Sequence, residues 1–289
     1  PEYGLNHRCL LEQVDFDKGT VEVDGKTYPM LDMKFPTIDP KDPLKLTEQE
    51  AELLQTLKMS FRHSGLLHKH IKFLYSHGSM YKCCNNNLLY HGCIPLKKDG
   101  SFDDIVFYGI PYSGKALMDF VDQMVQSAYF LPESNPDKGV ASDFMWYLWN
   151  GAKSPVFGKD KNRSFEHYFI EDPEVMRETM NPYYQLSEEE ETCDMILKEF
   201  GLPTKGSHII NGHMPVKIKS GETPIRAGGK LFIIDGGLSK AYQERTGIAG
   251  YTLIFNSHHL ALAEHKPFDP ERERTPKVYI VEKMQKRIT

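Results

Sequence analysis

Strand-like apolar runs and capped helical segments are interspersed along the whole of this 289-residue chain, and this mixture is what most restricts its fold. Residues 47–50 (Thr-Glu-Gln-Glu) and 187–190 (Ser-Glu-Glu-Glu) both match the capping box that begins a helix, and the second helix should end at Gly201. A further helical segment begins at Ser113 and extends to about Phe130. The strand-like runs lie at 79–84, 88–91, 208–210, 230–234, 251–255, 260–263 and 278–281. The mixture predicts an α/β (α+β) fold, a layered β-sheet sandwich flanked by helices.

Turn-forming residues divide the amino-terminal half further. Residues 19–30 alternate around a central Asp-Gly pair, which predicts a small hairpin. The first capped helix has apolar residues at helical spacing and is predicted to break near Gly65, with a second helical stretch that extends to Leu74. The stretch 131–165 is rich in aromatic residues and is predicted to be rich in loop.

The composition argues against several classes of partner. The net charge is −5 and no run of 18 apolar residues occurs, so neither nucleic acid nor a membrane is an expected partner. An anionic substrate would therefore have to be attracted by local basic residues or metals. The cysteine count is odd and no CxxC spacing occurs, which favours free thiols and a cytoplasmic location. The cysteines are Cys9, Cys83, Cys84, Cys93 and Cys193.

Two apolar runs each lead into a turn that contains a glycine and a histidine. The first run is followed by His91-Gly92 and the second by Gly212-His213. Histidines at strand ends point into the crevice where α/β proteins place their sites, although a half-buried structural histidine is also common. Neutral imidazoles suit Mn²⁺, Fe²⁺ or Zn²⁺ better than Ca²⁺ or Mg²⁺. Two histidines alone make an incomplete site, because carboxylates are needed to bridge two metals.

Basic and aromatic residues supply candidates for binding an anionic substrate. Lys159, Lys161 and Arg163 lie in one loop, where they could hold phosphate oxygens or simply face solvent. Further along the chain, Lys240 and Tyr242 follow a strand and a pair of glycines whose N–H groups could meet a phosphate. These five residues are the predicted substrate-binding residues.

The two histidine motifs resemble those of the calcineurin-like metallophosphoesterases, and the similarity is greatest to the class III fructose-1,6-bisphosphatases of bacteria. The resemblance extends over nearly the whole chain and is carried by longer blocks than the histidine motifs. These blocks are Phe73–Tyr81, Met145–Trp149, Ser154–Lys161, Ile209–His213, Gly229–Gly237, Ser239–Gln243 and Gly247–Thr252.

The chain departs from that superfamily at its amino-terminal motifs. The patterns D-x-H, G-D-x-x-D-R-G and G-N-H-[DE], which supply the other metal ligands and the general acid, do not occur. We therefore expect 1–289 to be the carboxyl-terminal part of a metallophosphoesterase-like domain, incomplete as it stands, with a helical and loop insertion at about 96–205. Only the ligand roles of His91 and His213 carry over, and no catalytic residue is assigned.

The resemblance implies a fructose-1,6-bisphosphate 1-phosphatase of gluconeogenesis, with a two-metal Mn²⁺ site that is incomplete or empty in this chain. The implied partner is a small sugar bisphosphate, and assembly into a homo-oligomer is left open. A sister phosphoesterase acting on phosphoproteins or dinucleoside polyphosphates is an alternative, as is a non-catalytic binding domain. If the two histidines share a metal, their rings must lie within a few ångströms of each other, at neighbouring strand ends.

Overall fold

The computed structural model describes residues 3–256, 258–265 and 278–283. These residues divide into two compact units. Unit 1 contains 3–79, 123–154 and 159–180, and unit 2 contains 80–122, 155–158 and the described residues from 181 onward.

Helices and strands are mixed along the part of the chain that the structure describes. The helices are α1 Glu48–His63, α2 Gly65–His77, α3 Gly114–Phe130, α4 Pro136–Asn150, α5 Tyr183–Leu186, α6 Glu190–Glu199 and α7 Lys240–Thr246. The first seven strands are β1 Val14–Asp15, β2 Thr20–Val23, β3 Lys26–Pro29, β4 Tyr81–Cys84, β5 Asn87–Tyr90, β6 Asp104–Phe107 and β7 Ile110–Ser113. The others are β8 His208–Asn211, β9 Ile225–Arg226, β10 Leu231–Ile233, β11 Tyr251–Phe255, β12 His259–Glu264 and β13 Val278–Lys283.

A five-stranded sheet forms the centre of unit 2. Its strand order is β4-β5-β8-β10-β9, and the three central strands are parallel, with an antiparallel strand at each edge. The central strands are short apolar runs with residues such as Leu88, Ile209 and Phe232 fully buried. Ile196 and Leu197 of α6 belong to the same core, so the helix covers this sheet. Because the strands are parallel, their carboxyl ends meet at one edge.

Two smaller sheets complete unit 2. Strands β11, β12 and β13 form an antiparallel sheet, and β6 and β7 form a separate hairpin. Leu260 and Leu262 of β12 belong to the same core as the five-stranded sheet. The combination of helices with several small sheets confirms a mixed α+β fold, whereas a sandwich arrangement of layers stays a prediction.

Unit 1 contains a three-stranded sheet, β1-β2-β3, together with α1, α2 and α4. Val21 and Val23 of the predicted hairpin pack with Leu10, Ile170 and Val175 in a small core. The Asp-Gly pair at the hairpin turn has positive φ at both residues, which a two-residue turn of this type requires. The hairpin prediction is confirmed.

The first two helices begin and break where the sequence predicts. Thr47 caps α1 through the full capping box with Glu50, and Ser64 separates α1 from α2 immediately before Gly65. Neither helix, however, contains a buried residue. The large apolar side chains left exposed are Leu53, Leu54, Leu57, Met59, Phe61, Leu66, Leu67, Phe73 and Leu74.

One local prediction is wrong and another is incomplete. The stretch 131–165 is rich in loop on both sides of a helix, but the sequence did not predict that helix, the 15-residue α4, which Asn135 caps and which begins with Pro136. The capping box at Ser187 does not form, since α6 begins at Glu190 and Ser187 is buried. Tertiary packing explains both differences, because aromatic residues of α4 are buried in the core and Ser187 is buried outside the helix cap.

The predicted insertion at about 96–205 falls partly in each unit. Residues 123–154 and 159–180 of this stretch belong to unit 1, and the remainder belongs to unit 2. The prediction of a single metallophosphoesterase-like part with one insertion stays a prediction. No helix within the described residues has the length and apolar character needed to cross a membrane.

The burial of the cysteines predicts a graded thiol reactivity. Cys83 and Cys84 are exposed, whereas burial raises the pKa of both Cys93 and Cys193 to about 12. Because the thiolate is the reactive form, a pKa of about 12 instead of 9.0 lowers the thiolate fraction at pH 8 on the order of 10³-fold. We expect Ellman's reagent to label the exposed pair rapidly and the buried pair only after unfolding. The same assay in guanidinium chloride should titrate all five thiols, and rapid labelling of Cys93 in the folded protein would contradict the structure.

Candidate metal site at the carboxyl ends of the parallel strands

The two predicted metal ligands follow neighbouring parallel strands. In the pairing of β5 with β8, Tyr90 lies opposite Asn211, so both strands end at the same level of the sheet. His91 follows the first strand at once, and His213 follows the second after one glycine. Residues that are 122 positions apart are thereby brought to one edge, which confirms the prediction that they lie at neighbouring strand ends.

The two imidazoles are in direct contact. Nε2 of His91 lies 3.2 Å from Nδ1 of His213, and the ring centroids are 5.1 Å apart. In the neutral pair one ring nitrogen donates to the other, so the hydrogen bond fixes the two tautomers together. Two nitrogen ligands at 2.0–2.2 Å from one ion lie about 3.0–3.5 Å apart when they are adjacent in its coordination shell. The observed separation therefore fits two ligands of a single metal.

The backbone of the second turn is adapted to this close approach. The Gly212 N–H donates to the His91 carbonyl over 3.1 Å. A Cβ at Gly212 would lie 3.3 Å from His91 Nδ1, so a larger residue would press on the ring. His213 itself has a φ of 65°, a left-handed conformation that costs free energy in a residue other than glycine. The fold therefore maintains a strained turn that places this ring against the first one.

Gly92 is required for a different reason. A Cβ at this position would lie 2.1 Å from the carbonyl oxygen of Pro155, which is closer than two non-bonded atoms can approach. The next residue, Cys93, donates its N–H to the same carbonyl over 2.7 Å. The glycine that the sequence places after His91 thus lets the chain turn inward beneath the ring.

A buried polar network lies beneath the histidines. The hydroxyls of Tyr90 and Tyr183 are 2.6 Å apart, and the Tyr183 hydroxyl is 3.3 Å from Oδ1 of Asn211. Burial raises the pKa of both tyrosines, so their hydroxyls stay protonated. Sequence reasoning gave no role to Tyr90, Tyr183 or Asn211. The only signal available was a polar residue, Asn211, at the end of an apolar strand.

The described residues supply few further metal ligands. Within them, no group of three or more His, Cys, Asp and Glu side chains is arranged to hold an ion. Asp235 follows β10 at the same edge of the sheet, but its Oδ1 accepts the Gly237 N–H over 2.8 Å as a turn residue does. The part of the chain that the structure describes therefore provides two imidazole ligands, and the rest of a metal's coordination shell must come from elsewhere.

The predicted phosphate-binding residues of the basic loop belong to unit 1, whereas the histidines belong to unit 2. All three already have acidic partners. Lys159 pairs with Glu178 over 2.5 Å, and Lys161 pairs with Asp24 over 2.7 Å. Arg163 is buried against Glu166 and also contacts Asp24. Their charges are largely balanced within their own unit, and their binding of substrate stays a prediction.

The other two predicted substrate residues lie in unit 2. Lys240 is the first residue of α7, and Tyr242 is two residues further along, with 54% of its surface exposed. Tyr242 packs closely on the preceding loop, since a Cβ at Gly237 would lie 2.6 Å from the Tyr242 Cβ. This arrangement leaves the phenol accessible to a ligand, and its role stays a prediction.

Comparison with known proteins gives the family. Residues 1–288 match the profile of the Firmicute fructose-1,6-bisphosphatases. The chain belongs to this family. Among its relatives, the fructose-1,6-bisphosphatase class 3 of Finegoldia magna is 49% identical over 293 residues, which cover 100% of this chain and 45% of the relative.

Two further relatives carry the same name. That of Bacteroides fragilis is 50% identical over 268 residues, and that of Clostridium beijerinckii is 52% identical over 269 residues. In both cases 93% of this chain is covered and 40% of the relative. This member of the Firmicute fructose-1,6-bisphosphatase family thus spans less than half the length of these relatives. This difference in length does not by itself show that the chain is a fragment, so that expectation stays a prediction. No solved structure matches the chain.

Proposed function

We propose that this chain contributes two imidazole ligands to the metal site of a fructose-1,6-bisphosphatase. The observation that carries the proposal is the 3.2 Å separation between His91 Nε2 and His213 Nδ1, which is the spacing of two ligands on one ion. Family membership supplies the reaction, because the relatives are named for fructose-1,6-bisphosphate hydrolysis.

Mn²⁺ is the proposed metal, and when bound it would stabilise negative charge on the transferring phosphoryl group. The contribution of the chain's own residues is to hold the metal ligands in place. His91 and His213 present neutral nitrogen donors from one edge of a rigid sheet, and the turn at Gly212 holds the rings together. With each ring engaged by a metal, neither histidine would serve as a general base.

The proposed substrate is fructose 1,6-bisphosphate, hydrolysed at its 1-phosphate in the cytoplasm. Lys159, Lys161 and Arg163 are proposed to bind phosphate oxygens, for which an incoming phosphate would have to compete with their present carboxylate partners. Lys240 and Tyr242 are proposed as further ligands of the substrate. A homo-oligomeric assembly is compatible with the large apolar side chains exposed on α1 and α2.

A non-catalytic binding domain is the second candidate for this chain taken alone. The specific observation in its favour is that the described residues contain no cluster of three or more metal-ligating side chains. Such a domain would retain the paired histidines and bind a metal weakly, without the bridging carboxylate that holds two ions together.

Titration of the metal-free protein with MnCl₂ tests the proposed site. We expect weak binding of one ion, reversed by a chelator and weakened as pH falls, because protons compete for the imidazoles. His91→Ala and His213→Ala should each lower the affinity by about tenfold or more, since even groups that only support a ligand are worth roughly 10–100-fold.

The matched control for this titration is His63→Ala, which removes an exposed imidazole at the end of α1. This control should bind Mn²⁺ as the unaltered protein does. Equal affinities for the control and for both site variants would show that the paired histidines are not metal ligands.

A further inference from the structure

The side-chain amide of Asn211 contacts the backbone of the first histidine turn at three consecutive residues. Its Nδ2 lies 3.2 Å from the Tyr90 carbonyl oxygen, 3.1 Å from that of His91 and 2.7 Å from that of Gly92. An amide NH₂ has two hydrogens, so the three carbonyls share them. These carbonyls lie where β5 ends and its ladder with β8 stops, so the asparagine supplies a side-chain donor where the backbone ladder runs out.

The orientation of this amide follows from its partners. Three carbonyl oxygens accept hydrogen bonds and cannot donate, so the NH₂ group must face them. The oxygen Oδ1 then faces the Tyr183 hydroxyl at 3.3 Å, which donates to it. Tyr183 in turn accepts from Tyr90 over 2.6 Å. The result is a directed chain of hydrogen bonds from Tyr90 through Tyr183 and Asn211 to the turn that carries His91.

All three residues of this hydrogen-bond network are buried. The exposed fractions are 6% for Tyr90, 0% for Tyr183 and 3% for Asn211. A buried hydrogen-bond network of this kind is strong when complete, because water cannot substitute for a lost partner. The side chain of Asn211 therefore holds the turn that carries His91. The backbone of the same residue continues through Gly212 to His213.

We propose that Asn211 is a positioning residue, which holds the backbone of His91 and Gly92 so that the His91 ring meets the ring of His213. This inference rests on the proposed metal site and names the residue that sets its geometry. Asn211 does not touch the ion or the substrate; it acts through the carbonyls of the turn. The bond from Gly212 N–H to the His91 carbonyl supports the same register from the backbone.

The test compares Asn211→Asp with Asn87→Asp. Both asparagines are buried, at 3% and 4% exposure, and both belong to the β5–β8 pair, but Asn87 lies opposite His208 at the other end of the strands. Each substitution replaces the donating NH₂ by an acceptor and is nearly isosteric. Asn87 donates only to the Asn85 carbonyl, at 3.3 Å, so its loss leaves the histidine edge intact.

Two readouts are used on the full chain, with protein labelled with ¹⁵N at histidine. The first is the ring-nitrogen spectrum of the metal-free protein, with the signals assigned from His91→Ala and His213→Ala. The second is the dissociation constant for Mn²⁺. For Asn211→Asp we expect the ring signals of both histidines to move and the Mn²⁺ affinity to fall on the order of tenfold or more. For Asn87→Asp we expect both readouts to match the unaltered protein.

Unchanged ring signals in a folded Asn211→Asp variant would overturn the proposal, irrespective of the Mn²⁺ affinity of that variant. If Asn211→Asp does not fold, Tyr183→Phe replaces it, because this variant removes the hydroxyl that donates to Oδ1 and that accepts from Tyr90. Ring signals identical to those of the unaltered protein would again overturn the proposal. Failure of the metal site itself has a different signature. Mn²⁺ affinity would then be insensitive to His91→Ala and His213→Ala, while the spectra would still decide the role of Asn211.

Discussion

The 289-residue chain alone should release no measurable phosphate from fructose 1,6-bisphosphate, even with Mn²⁺ added, whereas the Finegoldia magna relative should release it readily. The reason is the number of metal ligands. The described residues offer two imidazoles and no cluster of three or more ligating side chains, so two like-charged ions cannot be held close together. Metal ions stabilise such a transition state by several kcal/mol, and each 1.36 kcal/mol is tenfold in rate, so we expect kcat/KM for the chain to be lower by roughly 10³-fold or more.

The assay measures inorganic phosphate from both proteins side by side, with and without Mn²⁺. A chelator should abolish turnover by the longer relative, and this serves as the positive control for metal dependence. Turnover by this chain that matches the relative would show that its site is complete and that other residues perform the chemistry. An inactive relative under all metal conditions would instead remove the fructose-bisphosphatase proposal.

The second large effect is expected on stability. Glu166 has a fully buried side chain, and its Oε1 accepts from Nη1 of Arg8 and from Nη1 of Arg163, both over 2.9 Å. The two guanidinium groups are themselves buried, with 5% and 3% of their side chains exposed. Glu166→Gln removes the negative charge that Arg8 and Arg163 share, and Arg163 then keeps only its pairing with Asp24. Breaking a buried ion pair in this way costs about 3–5 kcal/mol.

Urea denaturation of Glu166→Gln measures this cost as a change in the free energy of unfolding. The matched control is Glu174→Gln, which breaks the Lys26–Glu174 pair at 3.5 Å, where both side chains are largely exposed. Because an exposed pair contributes about 0–1 kcal/mol, the control should unfold close to the unaltered protein. Equal losses for the two variants would mean that the buried network does not hold unit 1 together.

Local chemistry was enough to predict several elements from the sequence. The Asp-Gly turn favours positive φ at both of its residues, and the hairpin of β2 and β3 provides that conformation. The capping box at Thr47 likewise depends on residues three positions apart, and it forms as predicted. The glycine beside each histidine also had a local meaning, because a tight turn at a strand end needs a residue without a Cβ.

Packing decided what the sequence alone left open or predicted wrongly. The aromatic stretch that contains α4 lacks a clean helical pattern, because Phe144 and Leu148 are buried while Trp146 and Trp149 are exposed. Ser187 matches a helix cap in sequence, but burial places it outside the helix. In both cases a tertiary environment overrode a local preference.

The sequence determined that two histidines follow two apolar strands, and only the tertiary structure decided that these strands are neighbours. Parallel pairing of β5 with β8 depends on hydrogen bonds and core contacts between residues about 120 positions apart, which no local pattern encodes. The same pairing places the Asn211 amide beneath His91, so a residue with no recognisable motif becomes part of the candidate site. Residue type gave the chemistry of each ligand, whereas the sheet register gave the distance between them.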